Sequence, residues 1–192
     1  ATLASGAPNP PVPTTTIESP TVAPTTLDPR SWCALLGLSP ESGAGGLVWQ
    51  AARRADTIDG MRAAIEDAEA ARSDRRAATN HLSLAADWDV FDPDGLEATA
   101  LGTSEATVID VSGLDAAPRS AVVRGVGEEL YRARVDESIE RLPWLAIDEA
   151  HTCFDGVAQS AIETILTRGR APGVSLVLAT QRPSIVPDVA IS

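Results

Sequence analysis

Two short stretches in the last third of the chain carry residue types suited to phosphoryl chemistry. Leu142-Pro-Trp-Leu-Ala-Ile-Asp-Glu-Ala-His151 is an apolar run that ends in two adjacent carboxylates. Val174-Ser-Leu-Val-Leu-Ala-Thr-Gln-Arg-Pro-Ser184 is a second apolar run, ending in a hydroxyl and a side-chain amide. A buried parallel strand delivers such polar ends to the C-terminal edge of its sheet, where ligands bind in open α/β folds. On this reading Asp148 holds Mg²⁺ through its water shell, and Glu149, on the other side of the strand axis, faces an attacking water as general base. Thr180 sits beside the same cofactor, and Gln181, whose amide both donates and accepts, reads a phosphate or orients the water. Either stretch alone is a weak signal, because a carboxylate at a strand end is often only a helix cap. Their order, strand-Asp-Glu, helix, strand-Thr-Gln, sets both polar tips on one edge of one sheet.

The elements that must position these residues follow from periodicity. Thr107-Val-Ile-Asp-Val-Ser112, between Gly102 and Gly113, reads as the first core strand. A helix from about Pro118 to Ser138 follows, with Val122, Val126, Leu130 and Arg134 on one face and Pro tolerated in its first turn. The alternation strand, helix, strand, helix, strand predicts a parallel sheet with right-handed crossovers, with the tips at Asp110 to Gly113, Asp148 to Glu149 and Thr180 to Gln181 sharing one edge. Arg168 and Arg170 end the helix between the last two strands. They either complement its negative end or supply an arginine finger to a neighbour's nucleotide. Arg182, next to the Gln, could act in the same way in cis.

Three regions emerge along the chain. Residues 1–29 are rich in Pro and Thr without period and read as an extended surface segment. Residues 30–100 read as mostly helical, an insert whose Trp32, Trp49 and Trp88 lie among apolar neighbours and are expected to pack rather than stack on bases. Within it, Asp59 to Ala78 is a continuous Ala-, Glu- and Arg-rich stretch, and a third helix carries His81 and Leu82 up to Trp88. Residues 101–192 form the C-terminal part of the sheet domain. Phe91-Asp-Pro-Asp-Gly-Leu96 lacks the later Glu of a calcium loop and reads as a turn.

Trp144 to His151 and Thr167 to Ser184, the latter with a helix ending in basic residues that leads through Pro-Gly into the Gln-bearing strand, resemble the HerA and FtsK group of P-loop ATPases, in particular HerA-like proteins of haloarchaea. Arg30 to Ser39 and Asp110 to Asp115 carry a less specific likeness. The resemblance implies a RecA-like P-loop NTPase sheet, present here in part and carrying the inserted helical subdomain. It further implies ATP and Mg²⁺ as cofactors, a homo-hexamer that moves double-stranded DNA, and a possible partner nuclease. Asp148-Glu-Ala-His151 also occurs in superfamily-two helicases, but those follow it with a Ser-Ala-Thr type motif where this chain has Ala179-Thr-Gln-Arg-Pro-Ser184.

The chain departs from the family in one respect that matters chemically. It contains no Lys, so no Gly-rich loop ending in Lys and Ser or Thr is present to cradle phosphates. Glu41-Ser-Gly-Ala-Gly-Gly-Leu-Val48 lacks the required spacing and follows a Ser-Pro turn, and it reads as a loop entering a helix. The expectation is therefore a piece of a longer ATPase, inactive by itself. The alternatives are a nonhydrolysing interaction module and a packaging or conjugation ATPase of the same superfamily.

Composition narrows the setting. In 192 residues, 44% hydrophobic content can bury a sizeable core, while no apolar run approaches the ~20 residues of a membrane span. No basic and apolar leader pattern opens the chain, which predicts a cytoplasmic protein. Cys33 and Cys153 are far apart and in apolar contexts, as expected for reduced core thiols. Asp and Glu together number 27 against 15 basic residues, all of them Arg, for a net charge of −12. Acidity scattered in this way suits a halophilic source, where salt screens self-repulsion. No basic run exceeds a doublet, so the expectation of DNA as partner rests on the resemblance.

Overall fold

The computed structural model describes residues 12–101, 105–182 and 184. The first eleven residues of the Pro- and Thr-rich segment, Gly102 at the start of the first expected strand, and residues 185–192 of the expected ATPase core lie outside the described residues. In chain order the elements are β1 (Thr14–Ile17), α1 (Pro29–Leu35), α2 (Gly43–Ala52), α3 (Ile58–Glu66), α4 (Arg72–Ala86), α5 (Ala98–Leu101), β2 (Ala106–Ile109), α6 (Ala116–Val135), β3 (Trp144–Ile147), α7 (Ala158–Arg168) and β4 (Ser175–Leu178). The fold is mixed α/β, with two small parallel sheets, β1 with β2 and β3 with β4. Among the described residues, no helix is long and apolar enough to cross a membrane.

Three of the four N-terminal helices start where a side chain satisfies free N–H groups of the first turn. Asp28 caps α1 by accepting from the Arg30 and Ser31 N–H groups, and Pro29 occupies the first turn, where no N–H is needed. Ser42 caps α2 through the Gly45 N–H, and Thr57 caps α3 through the Gly60 N–H. The glycine stretch at Gly43 to Gly46 is thus helical. These helices close around Trp32, Val48, Met61, Ile65 and Leu82, each almost wholly buried. The Trp32 indole N–H donates to the Pro24 carbonyl, and Trp49 and Trp88 flank the same core. Both cysteines are buried free thiols, and burial pushes their pKa values up.

The helical region departs from the sequence reading in one place. The stretch Asp59 to Ala78 is interrupted: α3 ends at Glu66, and α4 begins at Arg72 and runs unbroken past His81 to Ala86. The Arg75 guanidinium donates to the Ala68 carbonyl and closes the intervening turn.

The second departure concerns the sheet. β2 does not pair with β3; its partner is β1, with Thr14 opposite Ala106 and Ile17 opposite Ile109. The Pro- and Thr-rich segment, which reads as an extended surface segment or a long connection, supplies a strand from its β-branched Thr-Thr-Thr-Ile run. It also supplies a core residue. Val22 is buried, exchanges backbone hydrogen bonds with Val90 and Asp92, and packs against Gly125 of α6. A Cβ at Gly125 would lie 2.6 Å from the Val22 side chain, so glycine is what permits this approach. Both β2 and β3 rest on α6, whose Val122, Val126 and Leu130 meet Ile109, Val111 and Leu145.

Arg124 joins the regions. It is 6% exposed and reaches from α6 to the Thr26 carbonyl (3.2 Å), the Asp28 carboxylate (2.9 Å), the Val157 carbonyl (3.2 Å) and the Ser160 hydroxyl. Burial works to raise the Asp28 carboxyl, but hydrogen bonds from Ser31, the Arg124 charge and the Arg30 N–H outweigh it and hold Asp28 below the usual carboxylate range.

Candidate functional site

The two polar strand ends meet because β3 and β4 are adjacent and parallel. Ile147 lies opposite Leu178, and the ladder continues beyond the strands: Ala179 N–H donates to Ile147 O and Ala150 N–H to Ala179 O, both at 2.9 Å. Leu145, Ile147, Leu176 and Leu178 pack toward α6 and α7, which fixes the register, since a one-residue slip would turn these side chains out. Residues 148–151 and 179–182 therefore emerge side by side at the C-terminal edge.

Glu149 is the centre of this arrangement. Its Oε1 accepts from Gln181 Nε2 at 2.6 Å, and its Oε2 lies 3.1 Å from His151 Nδ1. Its backbone is left-handed, with φ +49°, a conformation that non-glycine residues adopt sparingly. Thr152 N–H and Oγ1–H both donate to the Glu149 carbonyl, tying the turn. Asp148 is exposed, and its carboxylate accepts the Glu149 N–H at 2.9 Å. Thr180 Oγ1 is 3.4 Å from His151 Nδ1 and accepts the Arg182 N–H at 3.1 Å. Asp148, Glu149, Thr180 and Gln181 thus stand on one edge, and the Arg182 side chain is exposed beside them.

The structure does not bring the other two arginines there. Arg168 and Arg170 close the helix between the last two strands, and α7 runs back along the sheet and delivers them to its opposite edge. Val174 N–H donates to Gly169 O and Ser175 N–H to Pro143 O, so this corner lies where β3 and β4 begin. A strand of four residues separates it from the tips, about 13 Å at ~3.3 Å per residue. Both arginines are exposed, and Arg168 lies in the last turn of α7, where a cation complements the helix dipole. Gly173, with φ +82°, makes the turn that leads back into β4.

The third expected tip stands apart from the other two. A cleft of about 1320 Å³ lies between β2 and β3, floored by α6, with Asp110, Asp148 and Glu149 at one end. Hydrogen bonds from Ser112 hold the Asp110 carboxyl below its ordinary range. Arg119, in the first turns of α6, also lines this cleft and donates Nη2–H to Leu114 O at 2.6 Å, while its buried Nε has no partner. The sequence reading passed over Arg119. Its signal was a basic residue near a helix N-terminus, where the dipole disfavours positive charge.

Chemically, the edge offers one exposed carboxylate, a second carboxylate bonded to a side-chain amide and close to an imidazole nitrogen, a hydroxyl and a nearby guanidinium. No group of three or more His, Cys, Asp or Glu side chains suited to a metal occurs among the described residues. Mg²⁺ in nucleotide sites is held through one or two carboxylates together with water and phosphate oxygens, and Asp148 with Thr180 fits that donor set. The fold and this edge define a mixed α/β protein with polar strand tips gathered beside paired parallel strands. Neither the protein-family models nor the curated proteins give a match to the chain.

Proposed function

We propose that this chain carries the hydrolytic half of a P-loop ATPase of the HerA and FtsK type, one that couples Mg²⁺-dependent ATP hydrolysis to movement of double-stranded DNA as a homo-hexamer. The observation that carries the reading is the pairing of the strand ending in Asp148-Glu149 with the strand ending in Thr180-Gln181, which sets the Gln amide 2.6 Å from the Glu carboxylate. The DNA substrate, the hexamer and a partner nuclease rest on the resemblance of these motifs.

In this reading Glu149 takes a proton from water as the water oxygen bonds to the γ-phosphorus. The bond from that phosphorus to the β,γ-bridging oxygen breaks, and the electron pair leaves with the nucleoside diphosphate. Asp148 and Thr180 would hold Mg²⁺ through water and hydroxyl; bound there, the ion neutralises charge on the phosphates. Gln181 orients the water or the γ-phosphate, and Arg182 stands where it could meet developing charge in cis. Arg168 and Arg170, on the far edge, could serve only a neighbouring subunit's nucleotide. With no Lys in the chain, the phosphate-cradling loop is not among these residues.

The test is ATP hydrolysis by the native protein in molar salt, with and without duplex DNA. Glu149→Gln is expected to lower turnover 10²- to 10⁴-fold, the usual share of a general base. Turnover within about threefold of wild type in that variant would remove Glu149 from its role. A second reading, a nonhydrolysing interaction module, draws on the absent Lys and on the exposed Trp144, Val108 and Val177 of the strands. It predicts no turnover and no nucleotide binding in the same assay.

A further inference from the structure

The two carboxylate oxygens of Glu149 have separate holders of different character. Oε2 lies 3.1 Å from His151 Nδ1, an ion pair when the ring is protonated, and the same nitrogen shares a hydrogen bond with Thr180 Oγ1 at 3.4 Å. His151 lies two residues along the same turn, and its side chain is 17% exposed. Oε1 takes its hydrogen bond from Gln181, which is exposed at the end of the neighbouring strand. Thr180 Oγ1 accepts from the Arg182 N–H and shares a hydrogen bond with His151 Nδ1.

Gln181 Nε2 occupies one lone pair of Oε1, and breaking that bond leaves the lone pair open to a water proton. A phosphate oxygen arriving at the strand tips is a charged acceptor that competes for the Gln181 amide and the Thr180 hydroxyl. His151 sits in the Glu149 turn itself, which is fixed by the Thr152 and Ala150 hydrogen bonds, and has no reason to move with Gln181.

We infer that Gln181 and His151 form a two-handed latch on Glu149: a phosphate oxygen of bound nucleotide draws Gln181 away, and His151 stays as the positioning residue that keeps the freed carboxylate aimed. The inference rests on the ATPase reading above and adds a resting state and a release step to it.

Two measurements test it. In the 192-residue chain, the side-chain amide of Gln181 is one of only three glutamine amides, with Gln50 and Gln159, and its NMR signal can be assigned by substitution. Glu149→Ala is expected to move the Gln181 amide resonances to those of a free amide; unchanged resonances would overturn the latch, whatever the activity of the protein. In the native protein, His151→Ala is expected to lower kcat about 10-fold with KM for ATP within about twofold, because a misaimed base slows chemistry without weakening binding. His151→Gln, which restores an N–H donor, should recover most of that loss. Equal kcat in His151→Ala and wild type would overturn the positioning role. A native protein with no hydrolysis at all would overturn the ATPase reading and the release step with it, while a Gln181 shift in Glu149→Ala would still support the contact.

Discussion

The helical region built on α1 to α4 and the strand region built on β3 and β4 solve the burial problem differently. Trp32, Met61, Ile65 and Leu82 are enclosed by the helices of their own region together with Leu27, Phe91 and Val157 from flanking segments. β3 and β4 are covered on one face by α6 and α7, while Trp144 is 73% exposed and Val177 43% exposed on the other. Parallel strands ordinarily carry apolar residues on both faces because both faces are covered. In this chain the region that carries the proposed chemistry has an open apolar face, and the region with no assigned chemistry is closed. A self-sufficient core is needed for folding, whereas a site at strand tips needs only a rigid register and access.

Breaking the joint between the regions should have the largest effect on stability. Arg124→Met removes a buried cation bonded to both regions, taking the guanidinium from the Thr26 and Val157 carbonyls, of which Val157 keeps the Ser160 hydroxyl as donor. A loss of about 3 kcal/mol is expected, the low end for breaking a buried pair, because Asp28 retains solvent. Chemical denaturation monitored by Trp fluorescence would read it, and a change under about 0.5 kcal/mol would mean that the regions hold together without Arg124.

A smaller, pH-dependent effect comes from the partner of Arg124. Asp28 has a carboxyl pKa that folding lowers, so its contribution to stability is fully present above the ordinary carboxylate value and lost as pH falls through the lower folded value. Asp28→Asn should flatten the acid limb of a thermal-unfolding pH profile below about pH 4. An acid limb of undiminished slope in the variant would assign it to other carboxylates.

The smallest effect is expected on the open face. Trp144→Ser should change the stability of the isolated chain by no more than about 0.5 kcal/mol, as for surface substitutions away from caps and networks. A loss of several kcal/mol would show that the face is covered in solution, and the contrast between the two regions would disappear.

Much of the site could be read along the chain because its signals are local. An apolar run ending in Asp-Glu and another ending in Thr-Gln mark strands and tips without reference to anything distant, and β3 and β4 form at those runs. The helix carrying Val122, Val126 and Leu130 was visible by its period, and all three are buried. What escaped the reading depended on partners far away in sequence. β1 has no hydrophobic alternation to announce it and is a strand because β2 offers an edge. Arg119 matters only because β2, β3 and α6 enclose a cleft around it. Arg168 and Arg170 are close to Gln181 in sequence, yet a strand's length of backbone carries them to the other edge.

The amino-acid sequence by itself determined the polar strand ends, the helix starts at Asp28, Ser42 and Thr57, the buried thiols and the strongly acidic balance, because each depends on residue type and near neighbours. Only the tertiary structure decided that Gln181 donates to one oxygen of Glu149 while His151 stands beside the other, that Arg124 ties three segments together, and that β2 pairs with β1 and leaves a cleft beside β3. Those outcomes depend on pairing and packing between segments far apart in the chain, and local propensity carries no information about which distant edge or side chain will be met.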